Sequence, residues 1–455
     1  MSDKQKLSRR DFLRLTGGAV AVASLAGLPI AASAQGDDIT LVFWSPNCDV
    51  ECEQTNIPEW MERFRQEVNG NVNFELAGAP WGDYWTRLPL ALAGGTGPDM
   101  YFFHPNWMQQ FVDGGLVEAW SDERVAQLRE LVDGIDTSLI NGNLYAFDEG
   151  FSTSVIYYGK KAWDDAGLTD DDIPTTWDDL TALAGELTQR ESNGALLRAG
   201  FDSNLKDGRW TWVALKYQLG EFLISEDGRR ANIHTEGGQQ AAQMMWDWEF
   251  GENPVGNIDL SPWVEDALPT EIAAMGFGFG WFADYWRSDY SDYEWGAFPL
   301  PVMDGAPAIA KSDAWKTMAV NSQSTDAAKN AAFDVIQWHG TDADLMKFRA
   351  LGGQVPALRS LREDPEILAS PVVSAMMANI DNTASFGFAP PDFEGALAQI
   401  TELLFVAQTA TIDEALAEAQ AVADEVLSRP ENVYWGFQER ASANADAMTN
   451  PEIME

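Results

Sequence analysis

The 455-residue chain carries 29 Lys+Arg against 71 Asp+Glu, a formal net charge of −42, with 45% hydrophobic and 11% aromatic residues. Such a length outgrows one ordinary core and suits two lobes, while so acidic a surface repels nucleic acid and anionic lipid and argues against both as partners. Two cysteines, three scattered histidines and no phosphate loop, G-x-S-x-G elbow or H-E-x-x-H helix leave no metal or cofactor to expect.

The first 34 residues read as a processing segment. Arg9-Arg10 followed by Phe12, a small-residue apolar run and the A-x-A pattern Ala32-Ser33-Ala34 resemble a twin-arginine export signal. The apolar run is too short to span a bilayer comfortably, and no cysteine marks a lipoprotein cleavage point. The expectation is an exported, periplasmic or extracytoplasmic chain starting near Gln35. In that oxidising setting Cys48 and Cys52, with three residues between them, are candidates for a local disulfide.

"ITLVFW", residues 39–44, predicts a buried strand. Residues 56–68 predict a helix with Trp60, Phe64 and Val68 on one face. A second strand is expected over 71–76, a helix ending at Gly94-Gly95, and a third strand over 98–103. Strand, helix, strand, helix, strand is the pattern of a parallel sheet wrapped by helices. A second such unit begins at residues 152–159, followed by a helix capped by Thr175 or Thr176 with Asp178 or Asp179 three residues on. Residues 294–301 and 315–321 alternate as strands. The last strong helix opens on a Thr411/Glu414 capping box and lays Ile412, Ala415, Leu416, Ala419 and Val426 on one face. From residue 430 a polar tail is expected on the surface.

One stretch fits no simple element. "AAMGFGFGWFADYW", residues 273–286, sets Phe277, Phe279, Trp281, Phe282, Tyr285 and Trp286 among three glycines. Glycine in an apolar run marks a place where a ligand or another backbone comes close.

Six segments in order, "GTGPDMYF" (95–102), "LYAFDEGFSTSVIYYGKKAWDDAGL" (144–168), "IPTTWDDL" (173–180), "AAMGFGFGW" (273–281), "FPLP" (298–301) and "GGQVP" (352–356), resemble the extracellular solute-binding proteins, family 1, of ABC importers, over about residues 39–427. The resemblance implies an α/β chain with a two-lobe periplasmic-binding-protein fold of class II type, a ligand cleft between the lobes and hinge crossovers. It assigns residues 36–148 with about 302–340 to a first lobe, 149–301 with about 341–430 to a second, and 431–455 to a tail. Residues 148–153 and 297–301 would be the crossings. Asp148, Gly159 and Ile272 depart from the family's usual proline, asparagine and lysine, so ligand type does not carry over from any one member.

The resemblance implies a cleft position for the Gly280-Trp281 pair. A flat aromatic covers the apolar face of a sugar while polar groups take its hydroxyls. Trp281 is therefore expected at the ligand, with Phe282 or Trp286 nearby and Phe277 and Phe279 in the core. Trp44, at the end of the first strand, lies where parallel-sheet ligands bind, outside the carboxyl ends. His104 and Trp107 follow the third strand, and Trp81 and Tyr84 begin the helix before it. Glu149, Ser152 and Thr153 fall in the first crossing, where a carboxylate can take two hydroxyls. Of Trp210 and Trp212, one is expected inward and one outward. Asp99 is expected to be structural. The expectation is a monomeric, non-enzymatic capture subunit for a carbohydrate, an oligosaccharide rather than a monosaccharide, delivered to a membrane permease. The alternatives are a polyamine or other cationic solute, encouraged by Asp148, Glu149 and Asp284, and a secreted glycosidase.

Overall fold

The computed structural model describes residues 38–46, 51–104, 107–256, 258, 263–303, 305–306, 309–315, 317–380, 382–385, 390–429, 440–441, 448–449 and 451–454. The export segment and Cys48 lie outside them, as does the side chain of Cys52, so the processing and disulfide expectations fall outside the described residues. No helix among the described residues is long and apolar enough to cross a membrane.

The strands in chain order are β1 (Ile39–Pro46), β2 (Val72–Ala79), β3 (Met100–Phe103), β4 (Gly150–Thr153), β5 (Val155–Gly159), β6 (Gln189–Arg190), β7 (Leu196–Asp202), β8 (Ala273–Gly278), β9 (Trp295–Pro299), β10 (Ala310–Trp315), β11 (Thr317–Val320), β12 (Val355–Pro356), β13 (Thr383–Ser385) and β14 (Arg440–Ala441). They form three sheets, ordered β11-β3-β1-β2, β12-β4-β10-β13-β14 and β6-β7-β8-β5-β9.

In the first sheet β1 runs parallel to β2 from Ile39↔Val72 to Pro46↔Ala79 and parallel to β3 on its other side, with β11 antiparallel at the edge. Helices Glu51–Glu67 and Trp81–Ala93 make the two crossovers, as the alternating pattern requires. Trp60 and Phe64 pack in the core, but Val68 is exposed, because the helix ends at Glu67 before that position can turn inward. The third sheet is mixed: β7 and β8 are parallel, and β5 lies antiparallel between β8 and β9. Its covering helix Trp177–Leu187 is capped by Thr176, whose hydroxyl accepts from Asp179 N, and helix Ile412–Ser428 carries the expected Thr411/Glu414 capping box.

The second sheet connects the other two. Its strand β4 leads through Ser154 into β5 of the third sheet, and its antiparallel partner β10 leads past residue 316 into β11 of the first. The crossing expected at 148–153 is therefore strand β4. The crossing expected at 297–301 is corrected: β9 pairs with β5 along its whole length, from Gly159↔Trp295 to Val155↔Pro299, and the strand that runs beside β4 is β10. A turn-rich apolar segment and a crossing read alike in sequence; only the pairing separates them. Asp99 proves structural, its carboxylate accepting from Val42 N at 2.9 Å and Ser324 Oγ at 2.6 Å. In the tail, β14 pairs with β13, and Met454 N donates to His234 O at 2.9 Å.

Candidate functional site

In a parallel sheet the carboxyl ends of the strands open onto loops and helix starts, where side chains converge. At that edge of the first sheet, Trp44 ends β1, Trp81 and Trp85 open the helix after β2, and His104 and Trp107 follow β3. The topology thus gathers four indoles and an imidazole. Trp85 stacks on Trp107 with centroids 5.7 Å apart and planes 8° apart. Trp81 stands edge-on to Trp85 at 5.4 Å and to His104 at 6.0 Å. The Tyr84 hydroxyl, buried, lies 2.8 Å from Phe102 O and 3.0 Å from Trp44 O, which ties the helix to both strands. Trp81 remains 45% exposed, a costly position for a large ring unless a partner covers it. Trp85, 9% exposed and packed between Trp81, Tyr84 and Trp107, is the buried support of this cluster, and its i+4 spacing from Trp81 places the two on one helix face.

Helix Trp281–Asp289 follows β8. It packs against helix Glu51–Glu67 of the first sheet's side, and Trp281 is partly buried among apolar residues of two core clusters. Helix Val264–Ala267 holds it in place: Trp286 Nε1 donates to Glu265 O at 2.6 Å, and the Tyr285 and Tyr290 hydroxyls each donate to Asp266 Oδ1 at 2.9 Å. Phe277 and Phe279 are core residues, as expected.

Of the two causes expected for the three glycines of this stretch, a ligand or another part of the chain coming close, the structure shows the second. A Cβ on Gly276 would meet Val264 Cγ2 at 2.6 Å, and one on Gly278 would meet the Phe282 ring at 2.4 Å. On Gly280 it would lie 1.7 Å from Gly353 O. The space they leave is filled by this chain's own rings and backbone, not held open for a ligand.

Five further expected contacts are turned inward. Phe282 and Trp286, 0% and 1% exposed, pack around Tyr157, with Phe282 stacked on it at 5.5 Å. They fall on the inner face of a helix whose outer face carries Arg287 and Ser288. Glu149, 4% exposed, places Oε1 2.5 Å from His339 Nδ1, with Arg349 Nη2 3.9 Å from Oε2. Ser152 Oγ accepts from Gly280 N at 3.0 Å. Thr153, fully buried, receives no side-chain hydrogen bond among the described residues, and its N–H points to Met376 Sδ at 3.3 Å. Phe282 and Trp286 are enclosed by their neighbours, and Glu149 and Ser152 are bonded to His339 and to Gly280 N, so of these five only the Thr153 hydroxyl is without a partner among the described residues. Trp212 is fully buried, and Trp210 is half-buried against the same core cluster.

Glu265, beside the Trp281 helix, has its carboxyl pushed up to about 7, chiefly by burial, with Asp266, Asp202 and Asp207 adding repulsion. Its ordinary value is 4.5. A raised carboxyl means that the folded chain keeps a proton the unfolded chain has lost. The stability it contributes is complete below about pH 4.5 and is lost as pH rises through 7. Glu265→Gln, which mimics the protonated group, should stabilise the protein at pH 8 by on the order of 2 kcal/mol, discounted for partial exposure, and leave it unchanged at pH 4. Urea melts at both pH values check this; an equal effect at both would refute the assignment.

A cavity of about 510 Å³ lies elsewhere, at the opposite end of the third sheet, lined by Gly159, Leu268, Ala273, Tyr290 and Tyr293 under a rim of exposed carboxylates. It contains no ring of the aromatic set. Among the described residues, no group of His, Cys, Asp and Glu could hold a metal ion.

Residues 53–344 match the family described as bacterial extracellular solute-binding protein. An erythritol/L-threitol-binding protein of Mycolicibacterium smegmatis is 30% identical over 152 residues, covering 29% of this chain and 31% of that protein. The matches span from about a third to about three fifths of the length of the curated relatives. Among solved structures, the cyclic alpha-maltosyl-1,6-maltose binding protein from Arthrobacter globiformis superposes with a TM-score of 0.67 at 17% identity, over 86% of this chain and 99% of that one. The maltose/maltodextrin-binding domain from Bdellovibrio bacteriovorus, bound to maltotriose, gives 0.71 at 17% identity over 85% and 99%. At such identity the likeness shows the fold: α/β, two lobes, a cleft between them and crossing strands as hinge.

Proposed function

Because the chain belongs to the bacterial extracellular solute-binding proteins, we propose that it is the capture subunit of an ABC importer for a carbohydrate, an oligosaccharide rather than a monosaccharide, which it delivers to a membrane permease. The observation that carries this reading is the aromatic cluster of Trp44, Trp81, Trp85, His104 and Trp107 at the carboxyl edge of the first sheet. The half-exposed ring of Trp81 and the partly buried rings of Trp44 and Trp107 offer flat faces to sugar rings from the first lobe, and Trp281 is assigned to the second. The erythritol- and maltose-related relatives support the choice of a polyhydroxylated ligand. The protein acts as a monomer and performs no chemistry.

The test is a thermal-shift and calorimetric screen of mono- and oligosaccharides beside polyamines. A ligand at 100 times its dissociation constant adds about 2.7 kcal/mol of stability. Oligosaccharides should give the largest shifts, nearly independent of salt, and should be recovered intact. A shift confined to polyamines and abolished by salt would establish the cationic-solute reading instead. Recovered fragments would establish a glycosidase.

Export through the twin-arginine route, with a mature start near Gln35, completes the proposal. Arg9→Lys with Arg10→Lys should trap the precursor in the cytoplasm. Normal export of that double variant would exclude this route.

A further inference from the structure

Two residues link β8 to the helix that begins with Trp281, and between them lies the Phe279–Gly280 peptide. Its two polar atoms are held by different parts of the molecule. The carbonyl of Phe279 accepts from Tyr157 Oη at 2.9 Å, and Tyr157 is a fully buried residue of β5 in the third sheet. The N–H of Gly280 donates to Ser152 Oγ at 3.0 Å, and Ser152 belongs to β4, the crossing strand of the connecting sheet. That N–H is one of the donors a helix start leaves without an intrahelical partner, and no side chain of its own segment caps it.

A second close approach is made to Gly280 itself, on the far side of its Cα. Gly353, at φ +100°, lies so close that a Cβ on it would be 1.9 Å from Gly280 O. Gly353 leads through Gln354 into β12, which pairs with β4 through Val355↔Phe151 and Pro356↔Gly150. One hinge-side contact with Gly280 therefore comes from β4 and the other from the turn before its partner β12. Ser152 is 2% exposed, its Oγ also lying 3.5 Å from Thr153 O and 3.8 Å from Met376 Sδ, so its hydroxyl is fixed in place. Only Ser154 separates β4 from β5.

We propose that Ser152 is a positioning residue that couples the bend of hinge strand β4 to the placement of Trp281, resting on the reading of Trp281 as a wall of the binding cleft. A change of angle between β4 and β5 moves the two anchors of the Phe279–Gly280 peptide relative to each other. The peptide turns, and with it the first turn of the Trp281 helix. By linkage, a ligand seated against Trp281 must bias β4 in return.

Hydrogen exchange with mass spectrometry on the whole chain tests this, using the sugar with the largest thermal shift as probe. Without ligand, Ser152→Ala should speed exchange of the Gly280 amide about tenfold, the equivalent of one lost hydrogen bond, while β7 and β8 keep wild-type rates. With ligand, the wild type should gain protection in β4, and Ser152→Ala should bind with faster release yet gain none there. Should that variant not fold, Tyr157→Phe frees the other end of the peptide and must lose the same ligand-linked protection of β4. Unchanged Gly280 exchange in Ser152→Ala, or ligand protection of β4 persisting in either variant, would overturn the proposal. The ligand-free measurement stands even if no sugar binds, so failure of the carbohydrate reading is told apart from failure of the coupling.

Discussion

Gly280→Ala is expected to destabilise the protein by at least about 3 kcal/mol, the largest effect of any single methyl addition in the Trp281 segment. The added carbon would lie 1.7 Å from Gly353 O and 2.8 Å from Gly353 C, both backbone atoms, and 3.0 Å from Ser152 Oγ. No rotamer change relieves a clash with backbone, so either the Gly353 turn or the start of the Trp281 helix must move. Moving the turn drags β12, whose Val355 and Pro356 pair with β4. Gly353→Ala should cost as much or more, since its φ of +100° is unfavourable for any side chain besides the reciprocal clash with Gly280 O. Gly185 is the control: it is exposed in helix Trp177–Leu187, a Cβ there meets nothing within 4 Å, and Gly185→Ala should stabilise by up to about 1 kcal/mol. Denaturant melts of the three variants decide the matter. A Gly280→Ala protein as stable as the wild type would show that the two backbones are not in contact.

This tight contact also shows where reading the sequence stops. Parallel strands buried on both faces appear as unbroken apolar runs, so β1 and β3, with the helices between them, were legible from residues 39–103 alone. Capping at Thr176 and Thr411 was legible for the same reason: both ends of the motif lie within one turn. The glycines of residues 273–286 announced a close approach, but what approaches Gly280 comes from Gly353, which no local pattern links to it. Likewise Phe282 and Trp286 were separable from Trp281 only once the helix was known to start at Trp281, which puts positions 282 and 286 on its inner face. Glu149 and Ser152 looked like free polar groups in a crossing. Their partners, His339 and Gly280, arrive from other segments and consume them.

The same geometry predicts opposite outcomes for three tryptophans. Trp286→Ala removes a ring that is 1% exposed, packs on Tyr157 at 4.9 Å and donates to Glu265 O, so it should cost about 3–5 kcal/mol of stability. Trp81→Ala removes a ring that is 45% exposed, and should cost less than about 1 kcal/mol while weakening sugar binding. Trp281 lies between them: half-buried, edge-on to Phe282 at 4.5 Å, and opening the helix that packs toward the first sheet's side. If it is the cleft wall proposed above, Trp281→Ala should lower sugar affinity by about 2 kcal/mol, roughly thirtyfold, which marks a dominant contact. Its stability without ligand should fall by less than that of Trp286→Ala. Trp281→Phe should recover part of the affinity, because a smaller flat face remains for the apolar side of the sugar. Calorimetric titration of each variant beside its denaturant melt separates the two quantities. Unchanged affinity in Trp281→Ala together with a stability loss equal to that of Trp286→Ala would make Trp281 a core residue and leave the aromatic wall of the first sheet as the sole stacking surface of the site.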